Sequence, residues 1–287
     1  PAVSDNMHNV IIKGLHIFAS SITTDRQYTR GNLAVNSHHN VIDSITATYV
    51  THFIDQTGHY QSQWYARTGI ILSGVENTIK NSIIKYGAGA AVSAFGERHK
   101  ILHNRIYEVN YQVTETGALN SGHTVKLKDP EIAYNLFYNI PQKTINIGKI
   151  QSSNPDVPGL IRIHHNVIMN FMLRNSDSGA MNASAGRNWD LMRIDHNVIA
   201  NANNFLAIGI YTDYGGQAII DHNLIWNVDR PIQMNRYSED HPAPIGSSDD
   251  GPMGEIWVYN NTVIADSWNK PGIQNNHVNG SGEGNAL

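Results

Sequence analysis

Two six-residue stretches decide the fold of this chain: Ile194-Asp195-His196-Asn197-Val198-Ile199 and Ile220-Asp221-His222-Asn223-Leu224-Ile225. Both follow one pattern, in which an apolar residue, any residue and a polar residue precede Asn, and any residue and an apolar residue follow it. The pattern recurs around eight aligned asparagines, Asn40, Asn81, Asn104, Asn135, Asn166, Asn197, Asn223 and Asn261. Self-similarity at roughly 20–50 residues is typical of solenoids, so each copy predicts one coil.

The spacing of the copies favours a solenoid built of strands. Successive aligned asparagines are 41, 23, 31, 31, 31, 26 and 38 residues apart, and the apolar segments between them are short and have no helical period. Equivalent strands of successive coils would pair in parallel, about 4.8 Å apart. Asn tolerates the left-handed backbone of a corner, and its amide can bond to the Asn of the next coil. A leucine-rich repeat is excluded because its consensus and helical segment are missing.

The composition agrees with a strand-rich fold and excludes several functional classes. The 287 residues include 33 Asn and 24 Gly, which disfavour long helices. A net charge of −4 leaves no basic field to hold nucleic acid. No apolar run approaches the roughly 18 residues of a membrane span. With no Cys, disulfides, thiol catalysis and thiolate metal sites are excluded.

The His-Asn-Val-Ile and Asp-His-Asn-Leu-Ile repeats, together with the segment 69–79 (GIILSGVENTI), resemble the right-handed parallel β-helix, or pectin-lyase-like, group of proteins. The group contains polysaccharide lyases, glycoside hydrolases, epimerases, phage tailspikes and adhesins. The resemblance implies an all-β, right-handed parallel β-helix of about nine or ten coils, a secreted protein and a polysaccharide partner. It leaves the chemistry to be argued from the site.

The domain organisation predicted from the repeats is simple. One β-helix domain covers residues 1–287, and no amphipathic helix near its start is recognisable as an N-terminal cap, so the chain is expected to lack one. The long interval between Asn223 and Asn261 contains acidic residues with Gly and Pro. It predicts an inserted surface loop over 229–255.

Two acidic residues are the first candidates for catalysis. Glycines stand 13 residues after Asn104, Asn135 and Asn166, and the residues two positions before these glycines are Glu115, Asn146 and Asp177. In this alignment the two acids lie two coils, roughly 9–10 Å, apart. That overlaps the roughly 6.5–9.5 Å carboxylate separation of inverting glycosidases, so Glu115 and Asp177 are predicted as the acid/base pair. The alternative is that they cap turns or form a structural polar ladder.

A second group follows the coil that contains Asp177. Tyr211, Asp213 and Tyr214 precede two glycines. Tyrosines can lie against a sugar ring while a carboxylate accepts bonds from its hydroxyls. Asp213 is therefore predicted as an auxiliary catalytic carboxylate, with Tyr211 and Tyr214 as a substrate platform. An ordinary β-turn is the alternative.

Two other functions remain open. A β-eliminating lyase would need a base such as Lys149, with substrate contacts from Asn146, Arg67, His123 and Arg187. No cofactor is required for hydrolysis, but Ca²⁺ could assist a lyase through hard oxygen ligands. The third hypothesis is a non-catalytic glycan-binding or adhesive β-helix, so enzyme activity is favoured without being certain from the sequence.

Histidines form a column of their own. His39, His103, His165, His196 and His222 directly precede the repeat Asn, and such a column suggests zinc. However, Lys80, Tyr134 and Asn260 occupy the same slot. A slot that accepts these residues indicates packing and hydrogen bonding at a turn, so no metal site is predicted.

Overall fold

Short parallel strands wind into a right-handed β-helix in which each coil contributes to three sheets. The structure is a computed structural model and describes residues 7–24, 37–50, 69–114, 116–121, 127–147, 159–176, 178–183, 191–202, 204–212, 217–237, 255–264, 273–278 and 285–286. Sheets 1 and 2 each have nine strands, which confirms the predicted number of coils. Among these residues no helix occurs, and none is therefore long and apolar enough to cross a membrane.

The first two sheets stack one short strand per coil. Sheet 1 consists of β1 (Ile11–Lys13), β3 (Val41–Asp43), β6 (Thr78–Lys80), β9 (Lys100–Leu102), β13 (Glu131–Ala133), β16 (Leu160–His164), β19 (Leu191–Asp195), β22 (Gln217–Asp221) and β25 (Ile256–Tyr259). Sheet 2 consists of β2 (His16–Phe18), β4 (Thr46–Thr48), β7 (Ile83–Lys85), β10 (Arg105–Tyr107), β14 (Leu136–Tyr138), β17 (Val167–Phe171), β20 (Val198–Ala202), β23 (Leu224–Trp226) and β26 (Thr262–Ile264).

The third sheet has the longest strands. Sheet 3 consists of β5 (Ile70–Val75), β8 (Val92–Glu97), β11 (Leu119–Asn120), β12 (Leu127–Lys128), β15 (Ile145–Ile147), β18 (Ser178–Ala183), β21 (Ala207–Thr212), β24 (Arg230–Tyr237), β27 (Ile273–Val278) and β28 (Asn285–Ala286). Both β11 and β12 pair with β8. All pairings between these strands are parallel except that of β28, which is antiparallel to β27.

The core consists of like residues stacked from coil to coil. In sheet 1, register aligns a column of seven isoleucines, each at most 1% exposed: Ile42, Ile79, Ile101, Ile132, Ile163, Ile194 and Ile220. Parallel strands in register bring identical positions together, and burial on the inner face then selects the same branched residue in each coil. This column is the apolar position that begins most copies of the sequence pattern.

The repeated asparagines form a ladder at the corner between sheets 1 and 2. The amide Nδ2 of Asn166 donates to Oδ1 of Asn197 at 3.0 Å, and the Asn166 backbone nitrogen donates to the same oxygen at 2.9 Å. The same pair of bonds links each successive member of the series Asn104, Asn135, Asn166, Asn197, Asn223 and Asn261. The predicted bond between repeat asparagines is therefore confirmed.

The left-handed corner residue is not the one predicted from the sequence. The repeat Asn itself has an ordinary backbone, and the residue before it has a positive φ, as at His196 (φ 56°) and Tyr134 (φ 58°). The slot that accepts His, Tyr and Asn is thus the strained position. Asn is preferred one residue later because its side chain must accept and donate at once.

Two of the eight aligned asparagines were assigned to the wrong place. Asn40 lies at the corner between sheets 3 and 1, where its backbone nitrogen donates to Oδ1 of Asn77 at 2.9 Å. Asn81 has φ 53° and occupies the left-handed slot, while Ser82 takes the ladder position and its backbone nitrogen donates to Oδ1 of Asn104 at 3.0 Å. The Ser82 hydroxyl accepts a backbone hydrogen bond where other coils use the Asn carbonyl, so the sequence pattern did not show the true register.

The segment 229–255, predicted as an inserted loop, begins in the sheet. Within it β24 pairs with β21 on one side and β27 on the other. Ile232 lies in the core of the helix. Residues 238–254 lie outside the described part of the chain.

His99 lies at the corner between sheets 3 and 1, in line with Asn40 and Asn77. We expect it to make the fold sensitive to acid. Its Nδ1 accepts a bond from the Asn77 backbone nitrogen at 3.2 Å, and its Nε2 donates to the Phe95 carbonyl at 2.9 Å. Burial lowers the pKa of His99 to about 4. Below pH 6.5 the unfolded chain binds a proton that the folded chain refuses, so stability falls until the pH reaches about 4.

The measurement is urea unfolding of the wild type and His99→Asn at pH 7 and pH 5. Between these values the wild type should lose about 2 kcal/mol more than the variant. Asn is the matched replacement because Asn40 and Asn77 hold the equivalent corner positions in earlier coils. Equal losses in both proteins would show that His99 does not titrate in this way.

Candidate functional site

A row of polar side chains lies on the outer face of sheet 3. In β15, Ile145 and Ile147 belong to the core, so the intervening Asn146 points to the opposite face. Register places one residue per coil in line with it, and we call this set the polar row: Ser93, Asn120, Asn146, Asn182, Tyr211 and Gln233. With coils about 4.8 Å apart, the row runs parallel to the helix axis for roughly 24 Å.

The polar row is buried even though it faces away from the core. Ser93, Asn120 and Asn146 are 0% exposed, Asn182 is 3% and Tyr211 is 8% exposed. Asn is among the residues that are mostly exposed in proteins. The exposed fraction rises along the row toward Tyr211, which is where this part of the row comes closest to the surface.

Hydrogen bonds connect the amides of the row in one direction. Asn182 Nδ2 donates to Asn146 Oδ1 at 3.1 Å, and Asn146 Nδ2 donates to Asn120 Oδ1 at 2.7 Å. The amide Nδ2 of Asn120 is buried and has no hydrogen-bond partner. Leaving such a donor unpaired costs about 1–3 kcal/mol. The line of amide hydrogen bonds therefore ends at Asn120 in an unpaired, buried donor.

Asn146 does not share a column with Glu115 and Asp177, so that part of the predicted register is wrong. Ile145 pairs with Leu119 and Met181, which places Asn146 beside Asn120 and Asn182. The 31-residue coils are equal in length but not in layout. The residues aligned in sheet 3 come 15, 10 and 15 positions after Asn104, Asn135 and Asn166.

Glu115 and Asp177 themselves lie outside the described residues. The strands that follow them in the chain, β11 and β18, have a known register. Leu119 and Met181 are two coils apart in register through Ile145, and each acid precedes its core residue by four positions. Both acids therefore stand at the same distance in sequence from paired core residues of sheet 3, and this does not depend on Asn146.

Hydrogen bonds hold the backbone on both sides of position 115. Asn110 Nδ2 donates to the Thr114 carbonyl at 3.2 Å and to the Thr116 carbonyl at 2.7 Å. The two threonine hydroxyls lie 2.7 Å apart, and both residues are almost completely buried. Asn110 thereby holds the backbone of Thr114 and Thr116, the two described residues that flank position 115.

The remaining predicted site residues divide into two groups. Asn146 and Tyr211 belong to the polar row. The others lie outside the described residues, and in the chain each stands within three residues before or four after a strand of sheet 3: Arg67, His123, Lys149, Arg187, Asp213 and Tyr214. Sequence reasoning missed Asn120, Asn182 and Gln233. Their signal is an amide residue beside or between core apolar residues, as in Ile145-Asn146-Ile147 and Met181-Asn182-Ala183.

A second polar cluster lies at the corner between sheets 1 and 2. His165, Asp195 and His196 bring ligand-capable atoms within 4.8 Å of one another. In the next coil, Asp221 is paired with Arg193 and His222. Burial opposes ionisation of Asp221, but the hydrogen bonds from Arg193 and His222 outweigh it and hold the pKa of Asp221 below its usual value.

Comparison of the chain with protein-family models, with curated proteins and with solved structures finds no match.

Proposed function

We propose that this protein is a polysaccharide-degrading glycoside hydrolase that holds its substrate along the polar row. The observation that carries the proposal is the alignment of polar side chains on the face of sheet 3 that points away from the core, with Tyr211 as its most exposed member. Carboxamides donate and accept hydrogen bonds, and so do sugar hydroxyls. The described members of the row carry no formal charge, which suits a polar ligand.

The direction of the row favours a linear polymer. Each coil contributes one polar side chain to the row, and successive coils lie about 4.8 Å apart along the axis. Tyr211 is the most exposed of the row residues given above, at 8%, and its ring can lie against a sugar. Asp213 and Tyr214 follow it directly in the chain and would extend this contact. A secreted protein that meets a polysaccharide outside the cell fits this design.

Glu115 and Asp177 are the residues proposed to cleave the glycosidic bond. Leu119 and Met181 pair with Ile145 from opposite sides, so they lie two coils, about 9.6 Å, apart. Each acid stands four positions before one of them in the sequence, and this common offset supports the pair. At the separation of an inverting enzyme, one carboxyl group protonates the leaving oxygen and the other removes a proton from water. Attack by that water inverts the anomeric centre.

The test is to incubate the whole chain with neutral and uronic polysaccharides, with and without Ca²⁺, and to follow reducing ends and ultraviolet absorbance together. New reducing ends without new absorbance are the expected result. Absorbance that rises with the reducing ends would replace the hydrolase with a Ca²⁺-assisted lyase and direct attention to Lys149. Saturable binding without either signal would identify a non-catalytic glycan-binding protein.

A matched variant connects the activity to the polar row. Tyr211→Leu keeps apolar bulk at this position and removes the aromatic ring that is proposed to lie against the sugar. We expect weaker polysaccharide binding in this variant, whereas Asn170→Asp, on an exposed part of sheet 2, should bind as the wild type does. Equal affinity in all three proteins would contradict this placement of the substrate.

A further inference from the structure

Aromatic rings stack along the corner between sheets 1 and 2. The ring ladder consists of one residue per coil, with centroids 4.8–5.0 Å apart: His103, Tyr134, His165, His196 and His222. The rings of His165 and His196 are 4.9 Å apart and inclined by 2°. Their coils bring two imidazoles side by side at the surface, with carboxylates of sheet 1 beside them.

We propose that His165, Asp195 and His196 bind a divalent transition-metal ion, with Zn²⁺ as the reference ion. The three candidate ligand atoms lie within 4.8 Å of one another. Asp195 Oδ2 and His196 Nδ1 are 2.9 Å apart, close to the separation of two ligands that each lie about 2.1 Å from one ion. Two imidazoles and one carboxylate are a ligand set that zinc accepts, with a position left for water.

The state of Asp195 distinguishes this coil from the next. Its side chain is 1% exposed, yet its Oδ1 makes no hydrogen bond. Arg193 Nε lies 3.5 Å from that oxygen. Asp195 Oδ1 therefore keeps lone pairs that no hydrogen bond uses, on the same carboxylate whose Oδ2 lies 2.9 Å from His196 Nδ1.

The corresponding carboxylate one coil further is already engaged. Arg193 donates to both oxygens of Asp221, from Nε at 3.2 Å and from Nη2 at 3.1 Å. His222 Nδ1 lies 2.8 Å from Asp221 Oδ2. The pair of Asp221 and His222 therefore has the same chemistry in sequence but no free carboxylate oxygen, so it serves as an internal control.

Positive neighbours set an upper limit on the affinity. Arg162 Nη2 lies 3.6 Å from Asp195 Oδ2, and Arg193 Nε lies 3.5 Å from Oδ1. Both distances are longer than ordinary hydrogen bonds. These guanidinium groups repel a cation at the proposed position. Removing the half-exposed Arg162 as Arg162→Gln should consequently tighten metal binding several-fold.

The experiment is calorimetric titration of the whole chain, stripped of metal with a chelator, with Zn²⁺. His165→Asn and His196→Asn should each weaken the site by about 10-fold or more. Asn is chosen because Asn81 and Asn260 hold the same left-handed slot in this chain, with φ 53° at each. His222→Asn is the matched control and should leave the affinity unchanged.

A spectroscopic readout separates this site from zinc bound by other histidines. Co²⁺ in place of Zn²⁺ should give the visible absorption of a tetrahedral nitrogen–oxygen site, and Asp195→Asn should remove it while circular dichroism shows a folded chain. Equal Zn²⁺ affinity in His196→Asn and His222→Asn would overturn the proposal, as would the absence of any zinc binding by the wild type. Neither outcome bears on polysaccharide cleavage, which is assigned to sheet 3.

Discussion

Replacing Glu115 with Gln and Asp177 with Asn together is expected to lower polysaccharide cleavage by about 10⁴-fold or more. General acid and general base catalysis each contribute about 10²–10⁴-fold. Both substitutions keep the size of the side chain and remove only its ability to exchange a proton. Reducing-end release by the purified variants, measured on the substrate found for the wild type, gives the loss directly.

The single variants sharpen this prediction. Because the two groups act in one step, each substitution alone should produce most of the loss, and the double variant should add little. Glu108→Gln removes an exposed acid that directly follows β10 and lies beside Asn139, and this variant should cleave as the wild type does. Substantial cleavage by the double variant, with circular dichroism unchanged, would exclude Glu115 and Asp177 as the catalytic pair.

Asn166→Ala is expected to destabilise the β-helix by about 3–5 kcal/mol. The Asn166 amide donates to the Ile132 carbonyl at 2.9 Å, to the His164 carbonyl at 3.0 Å and to Asn197 Oδ1 at 3.0 Å. Its own oxygen accepts two bonds from Asn135. The side chain is fully buried, so its loss leaves several backbone groups unpaired, at about 1–3 kcal/mol each.

Chemical denaturation followed by circular dichroism measures this loss, with Asn170→Gly as the matched control. Asn170 belongs to the same coil, is exposed and has φ 54°, a backbone that Gly also adopts. Its side chain makes one bond, to Asn139 Oδ1 at 3.1 Å, so its loss should cost less than about 1 kcal/mol. Similar midpoints for the two variants would mean that the ladder does not stabilise the helix.

The ladder and the polar row show two uses of the same amide. Asn166 bonds to the coils on either side and to the backbone, and its role is complete within the fold. Asn120 accepts from Asn146 but keeps an unpaired donor on a different face of the helix. Replacing the first is expected to lower stability, whereas the second lies on the face of sheet 3 that is proposed to hold the substrate.

The repeat itself was readable from the sequence because it results from local chemistry. Each coil needs an inward apolar residue and, at the corner after it, an amide that bonds to both neighbours. Residues such as Ile194 and Asn197 therefore recur with a fixed spacing of three. That spacing predicted parallel strands, their stacking and about nine coils. Ser82 escaped detection because a hydroxyl substitutes for the amide there.

Only the tertiary structure decided which residues share a column in sheet 3. The distance along the chain from the Asn ladder to that sheet is 15 residues in one coil and 10 in the next, and both coils total 31. Equal lengths concealed this difference, so Asn146 lies in line with Asn120 and Asn182 rather than with Glu115. The same holds at the ring ladder. His196 and His222 are alike in sequence, but Arg193 hydrogen-bonds to both oxygens of Asp221 and comes only within 3.5 Å of Asp195 Oδ1, because its long side chain reaches the carboxylate of the following coil.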